Sequence, residues 1–165
     1  MNIKPDDSTI EMLAPGISIN EIFLIKATVE VVNPQGAKEY GFGLSGIRRV
    51  YSENKSKMLF EAAFDTMKGV VDPVFKLQCN FMAVYKRHEN ASMSWEQFTD
   101  EIALSHLIPY VREFVSNITH RLPCPPLMLP PTNTKAMIDA YLQEQAKSDD
   151  NQARPSQELE NSIPR

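Results

Sequence analysis

Residues 75 to 86 read FKLQCNFMAVYK. Phe75, Leu77, Cys79, Phe81, Ala83 and Tyr85 alternate with Lys76, Gln78, Asn80, Met82, Val84 and Lys86, a period of two that predicts a strand with one dry and one wet face. Working upstream, residues 57 to 67 repeat the pattern. Met58, Phe60, Ala62 and Phe64 oppose Leu59, Glu61, Ala63 and Asp65. A shorter strand is expected at about 39 to 46, where Tyr40, Phe42 and Leu44 alternate with Gly41, Gly43 and Ser45. Before it, residues 17 to 32 place Ile17, Ile19, Phe23, Ile25, Ala27, Val29 and Val31 on one parity, with Ile22, Leu24 and Val32 intruding on the other. The turn Asn33-Pro34-Gln35-Gly36 ends that strand. Four strands joined by short turns predict an antiparallel meander, and Cys79, in its dry row, is expected to be a buried, inert thiol.

Helices follow the strands. Ser94 and Gln97 have the spacing of a capping box, opening a helix from Trp95 towards Leu122 with Leu107, Val111, Phe114, Ile118 and Leu122 on one stripe. Pro109, which lacks an N–H, is expected to kink or restart it. Residues 123 to 131, PCPPLMLPP, hold five prolines around Leu127, Met128 and Leu129. Such a run is neither helix nor inner strand, and is expected to be an extended, polyproline-like strut. Thr132 or Asn133 then caps a last helix to about Lys147, with Met137, Ile138, Tyr141 and Leu142 inward. Strands first and helices second define an α+β domain: a four-stranded antiparallel sheet with C-terminal helices packed on one side. The domain is expected over 17–147, with a flexible segment at 1–16 and a disordered, polar tail at 148–165.

Composition narrows the function. The chain has 165 residues and a net charge of −4, so no basic surplus coats a phosphate backbone and nucleic acid is not an expected partner. The pairs Arg48-Arg49 and Lys86-Arg87 are expected at solvated strand ends. Cys79 and Cys124 have no CxxC spacing and His88, His106 and His120 are scattered, so neither metal nor cofactor is expected. Glu101 and His106 are expected to face solvent as ordinary polar residues. No phosphate loop, HExxH or GxSxG motif is present, which argues against an enzyme. No signal-peptide core opens the chain and no apolar run reaches the roughly 18 residues of a membrane span, so a cytoplasmic location with no membrane partner is expected. The surplus of soft and aromatic side chains in Tyr40, Phe42, Leu44, the strut, Met137 and Tyr141 either fills the core or a subunit interface, or serves a binding surface.

From Ile108 to Gln145 the sequence resembles the SecB family of export chaperones. The matching residues are Pro109, Tyr110, Arg112 and Glu113, then Pro126, Leu127, Leu129, Pro131 and Asn133, then Ala136 and the run Tyr141 to Gln145. Residues 21 to 34 and 39 to 44 resemble the family's first two strands. The resemblance implies a homotetramer, built as a dimer of dimers, that uses no nucleotide and holds unfolded or precursor proteins in long grooves for export. It implies a client groove at Tyr40, Phe42, Leu44, Leu127, Met128, Leu129, Met137 and Tyr141, with the strut as its wall. It also implies docking of the motor SecA on the exposed sheet face. The matched positions there are Lys26, Glu30, Lys76 and Gln78, where the family carries carboxylates. The wet rows sum to zero with Lys26, Lys76 and Lys86 against Glu30, Glu61 and Asp65, which weakens opposite-charge docking. A specialised chaperone without SecA, serving a dedicated client such as an antitoxin, and a structural or adaptor oligomer on the same scaffold are the alternatives.

Overall fold

A computed structural model describes residues 16–36, 40–66 and 70–152. The expected flexible segment 1–16 lies outside these residues except for Gly16, and the expected tail 148–165 lies outside them from residue 153 on. Four strands, β1 (Ile17–Val31), β2 (Phe42–Tyr51), β3 (Lys57–Thr66) and β4 (Phe75–Arg87), precede two helices, α1 (Asp100–Thr119) and α2 (Thr134–Gln152). The α+β class and the single helical layer are as expected.

The strand order is not. A meander would place the strands in chain order, whereas the sheet runs β1-β4-β3-β2, all antiparallel. β1 crosses over to pair with β4 along its whole length, from Ile17 opposite Arg87 to Val31 opposite Phe75. β4 becomes a central strand, which explains why its alternation is so regular: both neighbours constrain its pleat.

β1 explains its own irregular pattern. Register shifts between Ile19 and Glu21 and between Leu24 and Lys26 insert one extra residue each. Each bulge turns the following residues to the other face, and the second undoes the first. Ile22 therefore lies opposite Ala83 and Leu24 opposite Phe81, on the helix side, while Phe23 lies opposite Met82 on the outer side. Of the three intruding residues, Ile22 and Leu24 thus face the helix side and Val32 lies past the end of β1, while Phe23 faces outward.

The core lies between the sheet and α1. Met58, Phe60, Ala62 and Phe64 of β3 and the dry row of β4 are buried against Ala103, Leu104, Leu107, Val111 and Val115. Tyr85 meets Phe98 edge-on at 4.8 Å, and Phe81 meets Phe114 at 5.8 Å. Cys79 is fully buried, and burial, with Asp65 adding to it, pushes its thiol up to about 12.

β2 runs five residues past the expected end, because its two arginines are not at a solvated strand end. Arg48 points outward to Glu61 on β3, 2.5 Å away. Arg49 points inward, where Nε donates to Asp100 Oδ1 at the start of α1 and its guanidinium lies 6.0 Å from the Phe60 ring. Arg87 likewise turns inward, donating to the carbonyls of Met93 and Ala91.

The helix ends also shift. Ser94 and Gln97 do form the reciprocal box, Ser94 N to Gln97 Oε1 at 2.9 Å and Gln97 N to Ser94 Oγ at 3.4 Å, but it closes only one turn. The cap of α1 is Thr99, which accepts from Ile102 N. The helix runs unbroken through Pro109 to Thr119. The carbonyl that Pro109 cannot pair is that of Ser105, an exposed residue open to solvent, so no restart is needed. Asn133 caps α2 through Ala136 N at 3.1 Å, and α2 continues five residues past Lys147, to Gln152. His106 is not solvent-facing. It is half-buried, with Nδ1 3.2 Å from the Tyr85 hydroxyl, and burial lowers its pKa.

Candidate functional site: an open cleft between the sheet edge, the proline strut and the last helix

The prolines keep residues 123–131 out of helix and strand, and α1 supplies the anchors that fix the run in place. Thr119, buried in the last turn of α1, accepts from Leu127 N at 2.9 Å; Arg112 Nε donates to Leu129 O at 3.1 Å. Ser116 Oγ lies 3.3 Å from Met128 Sδ. Extended geometry then sends successive side chains to opposite sides. Leu127 and Leu129 pack against the core, and Met128 points away, 70% exposed.

Beyond the strut, β2 is a sheet edge and α2 returns alongside it. Between them lies an open cleft of roughly 720 Å3. Its floor is Phe42 and Leu44 of β2 with Phe64 of β3, the two phenyl rings lying parallel at 6.0 Å. Leu129, Pro130 and Pro131 form one wall, and Met137, Ala140 and Tyr141 of α2 form the other. Asp65, Glu144 and Lys147 stand among the lining residues as its charges. A mainly apolar trough with a polar rim has the shape and polarity to take an extended apolar segment. Among the described residues, no group of three or more His, Cys, Asp or Glu side chains is placed to hold a metal ion.

Of the eight residues assigned to the groove from sequence, Phe42, Leu44, Leu129, Met137 and Tyr141 line this cleft. Three do not. Tyr40 packs its ring, tilted, against Phe75 at 4.7 Å, and burial with the neighbouring Cys124 raises its hydroxyl to about 12. Leu127 fills core space beneath the strut. Met128 borders a separate shallow hollow with Pro109, Arg112, Glu113 and Ser116 on the outer side of α1. The alternation imposed by an extended strut is the physical reason, and treating the Leu-Met-Leu triplet as one apolar unit missed it. Pro130 and Pro131 line the cleft as the expected wall, while Phe64 was not foreseen among its lining residues. Phe64 belongs to the buried row of β3, and only the position of that strand beside the edge brings its ring to the floor.

The sheet face opposite the helices carries Lys26, Glu30, Lys76 and Gln78, as expected from parity. Lys26 lies opposite Asn80, Glu30 opposite Lys76, and Thr28 opposite Gln78.

No protein-family model matches the chain. Among the solved structures that match the chain are two of different strength. A protein of unknown function from Streptococcus agalactiae has a TM-score of 0.43 and 11% identity, covering 70% of this chain and 97% of that one. The Mycobacterium tuberculosis SecB-like chaperone Rv1957, solved in complex with a ChAD peptide from the Rv1956 HigA1 antitoxin, has a TM-score of 0.58 and 21% identity, covering 71% of this chain and 91% of that one. Four antiparallel strands followed by two helices, overlaid on most of that chaperone, give this protein a SecB-like fold.

Proposed function

We propose that the protein is an ATP-independent holdase chaperone of the cytoplasm that binds exposed hydrophobic segments of unfolded or precursor proteins. The observation that carries this reading is the open, aromatic-floored cleft whose wall is stiffened by Pro130 and Pro131. A wall that cannot fold into a helix or strand keeps Leu129 available instead of letting the trough close over itself. Each Leu- or Phe-sized client side chain entering the cleft contributes about 1.5 to 3 kcal/mol before ordering costs, so a single site binds weakly. Assembly into a homotetramer would multiply such sites on one unfolded chain and raise avidity through effective concentration. The edge strand β1, with Phe23, Leu24, Ile25 and Val31 all about two-fifths exposed, supports self-association.

A dedicated client, with no SecA coupling, is the second reading. Two observations favour it: the outer sheet face has lysines at Lys26 and Lys76 where an acidic docking patch is expected, and the similar chaperone Rv1957 was solved with an antitoxin peptide. A structural or adaptor oligomer on the same scaffold is the rival class.

Light scattering of a chemically denatured model protein tests the holdase reading. Suppression of aggregation at stoichiometric amounts is expected, and none at all contradicts it. Leu129→Ser with Tyr141→Ser separates chaperone from scaffold: a chaperone keeps its sedimentation coefficient and loses clients, while an adaptor whose cleft is an interface disassembles.

A further inference from the structure

Met128 is the odd member of the strut. On either side of it Leu127 and Leu129 pack against the core, and each is also fixed to α1 through its backbone, Leu127 N to Thr119 Oγ1 and Leu129 O to Arg112 Nε. A residue pinned on both sides in extended geometry has its side chain held outward. Met128 is accordingly 70% exposed, whereas Met58 is fully buried and Met82, Met93 and Met137 are half-buried. It is the most accessible methionine among the described residues.

Its surroundings suit an added oxygen. Ser116 Oγ donates to Met128 Sδ at 3.3 Å, although a thioether is only a weak acceptor. Arg112, four residues earlier and so on the same face of α1, spends Nε on Leu129 O and keeps the rest of its guanidinium donors. Both residues line the open hollow that Met128 borders, a space of about 340 Å3, and one more oxygen atom needs no more than the roughly 30 Å3 of a water molecule. Glu113 borders the hollow too, but a sulfoxide is neutral and meets no like charge there.

We propose that Met128 is a reversible oxidation site: hydrogen peroxide converts its thioether to a sulfoxide whose oxygen is received by Ser116 Oγ and Arg112, fastening the cleft wall more firmly to α1. A sulfur lone pair attacks one peroxide oxygen and the O–O bond breaks. The hydrogen on the transferred oxygen passes to the departing hydroxide, so the products are sulfoxide and water; sulfur gives up the electron pair that the peroxide gains. A thiol-dependent methionine sulfoxide reductase reverses the step, releasing water and leaving a disulfide. In a packed core the same change is disruptive, because a polar, chiral group replaces an apolar one. Here the oxygen is added on the solvent side, and Leu127 and Leu129 keep their places in the core. The site stands independently of what the cleft binds.

Peptide mapping of the full-length protein after brief exposure to limiting hydrogen peroxide tests it. Met128 is the one methionine between Arg121 and Lys135, so a tryptic digest isolates it, and tandem mass spectra distinguish it from Cys124 on the same fragment. Oxidation roughly tenfold faster than at Met82, Met93 and Met137 is expected. Urea denaturation then reads the fastening. The midpoint of the oxidised chain is expected to rise and to return after treatment with the reductase. No rise is expected in Ser116→Ala or in Met128→Leu given the same peroxide, each compared with its own untreated form; the Met128→Leu chain also reports whatever the other methionines contribute. Four results would overturn the proposal: Met128 oxidised no faster than the three half-buried methionines, a midpoint that stays or falls on oxidation, an equal rise in either variant, or a change that the reductase does not reverse.

Discussion

Thr119 Oγ1 accepts the Leu127 N–H at 2.9 Å and donates to Val115 O at 2.7 Å, so one buried hydroxyl ties the proline strut to the last turn of α1. It is the buried polar side chain of the described core, and its bonds, including a longer one to Ser116 O at 3.3 Å, are all internal. Thr119→Val keeps the shape and removes both roles. Leaving the Leu127 amide without a partner is expected to cost about 1 to 3 kcal/mol. Urea denaturation followed by circular dichroism measures this, and Thr119→Ser, which restores the hydroxyl, is expected to recover most of it. Equal stability of the Val and Ser variants would remove the strut's anchor from the argument.

The strut's stiffness makes a different prediction. Pro130→Gly with Pro131→Gly changes no core contact but widens the conformations open to the wall of the cleft. Client segments must then order the wall as they bind. Weaker capture of a denatured client with near-normal secondary structure is expected; isothermal titration with an unfolded protein reads it directly. Unchanged affinity would show that the wall is held by Arg112 and Thr119 alone.

Which parts of this molecule were legible beforehand follows from what each residue's neighbours are. β3 and β4 are legible because the residues of one parity are buried, so the period of two is undisturbed from Met58 to Phe64 and from Phe75 to Tyr85. β1 is partly legible. Its length shows, but its facing does not, since the bulges after Ile19 and Leu24 are backbone events that no side-chain pattern announces. The pairing of β1 with β4 is likewise hidden, being a choice between partners rather than a property of the strand. Arg48 and Arg49 hid the second half of β2, because a charge in a strand looks like an end until Glu61 and Asp100 are brought to it by other elements. The cleft was legible through its prolines and its α2 side chains. Its floor at Phe64 and the outward turn of Met128 required the tertiary arrangement.

The two thiols are expected to differ sharply. Cys79 is fully buried with its pKa near 12, so almost no thiolate exists at pH 8, and attack by a disulfide reagent needs unfolding first. Cys124, in the strut, is half-buried. A reagent such as dithiobis-nitrobenzoate is expected to label Cys124 in the folded protein and Cys79 only at the rate of unfolding. The linkage sign also follows. A thiol whose pKa is raised by folding contributes its full share of stability below the unfolded value of about 8.5, and loses it as pH climbs towards the folded value. Cys79→Ala is therefore expected to flatten the alkaline limb of the stability profile above pH 9. Rapid labelling of both thiols in the native state would contradict the buried row of β4.

His106 supplies the acid limb. Its ring sits 5.8 Å from Tyr85 and 6.2 Å from Phe98, and burial lowers its pKa, so the folded state favours the neutral imidazole. The unfolded chain takes up a proton near the ordinary value of about 6.5, before the folded one does. Stability from this site is then complete above that pH and declines as pH falls through the depressed folded value. Protonation need not break the Tyr85 contact, because the tyrosine hydroxyl also donates to Ala103 O at 3.1 Å and is free to accept from Nδ1. The cost is desolvation of the charge, not a lost hydrogen bond. His106→Gln, which retains a donor for Tyr85 and cannot be protonated, is expected to give a shallower fall in urea midpoint between pH 7 and pH 5 than the parent chain. Parallel profiles for the two proteins would place the acid sensitivity elsewhere in the fold.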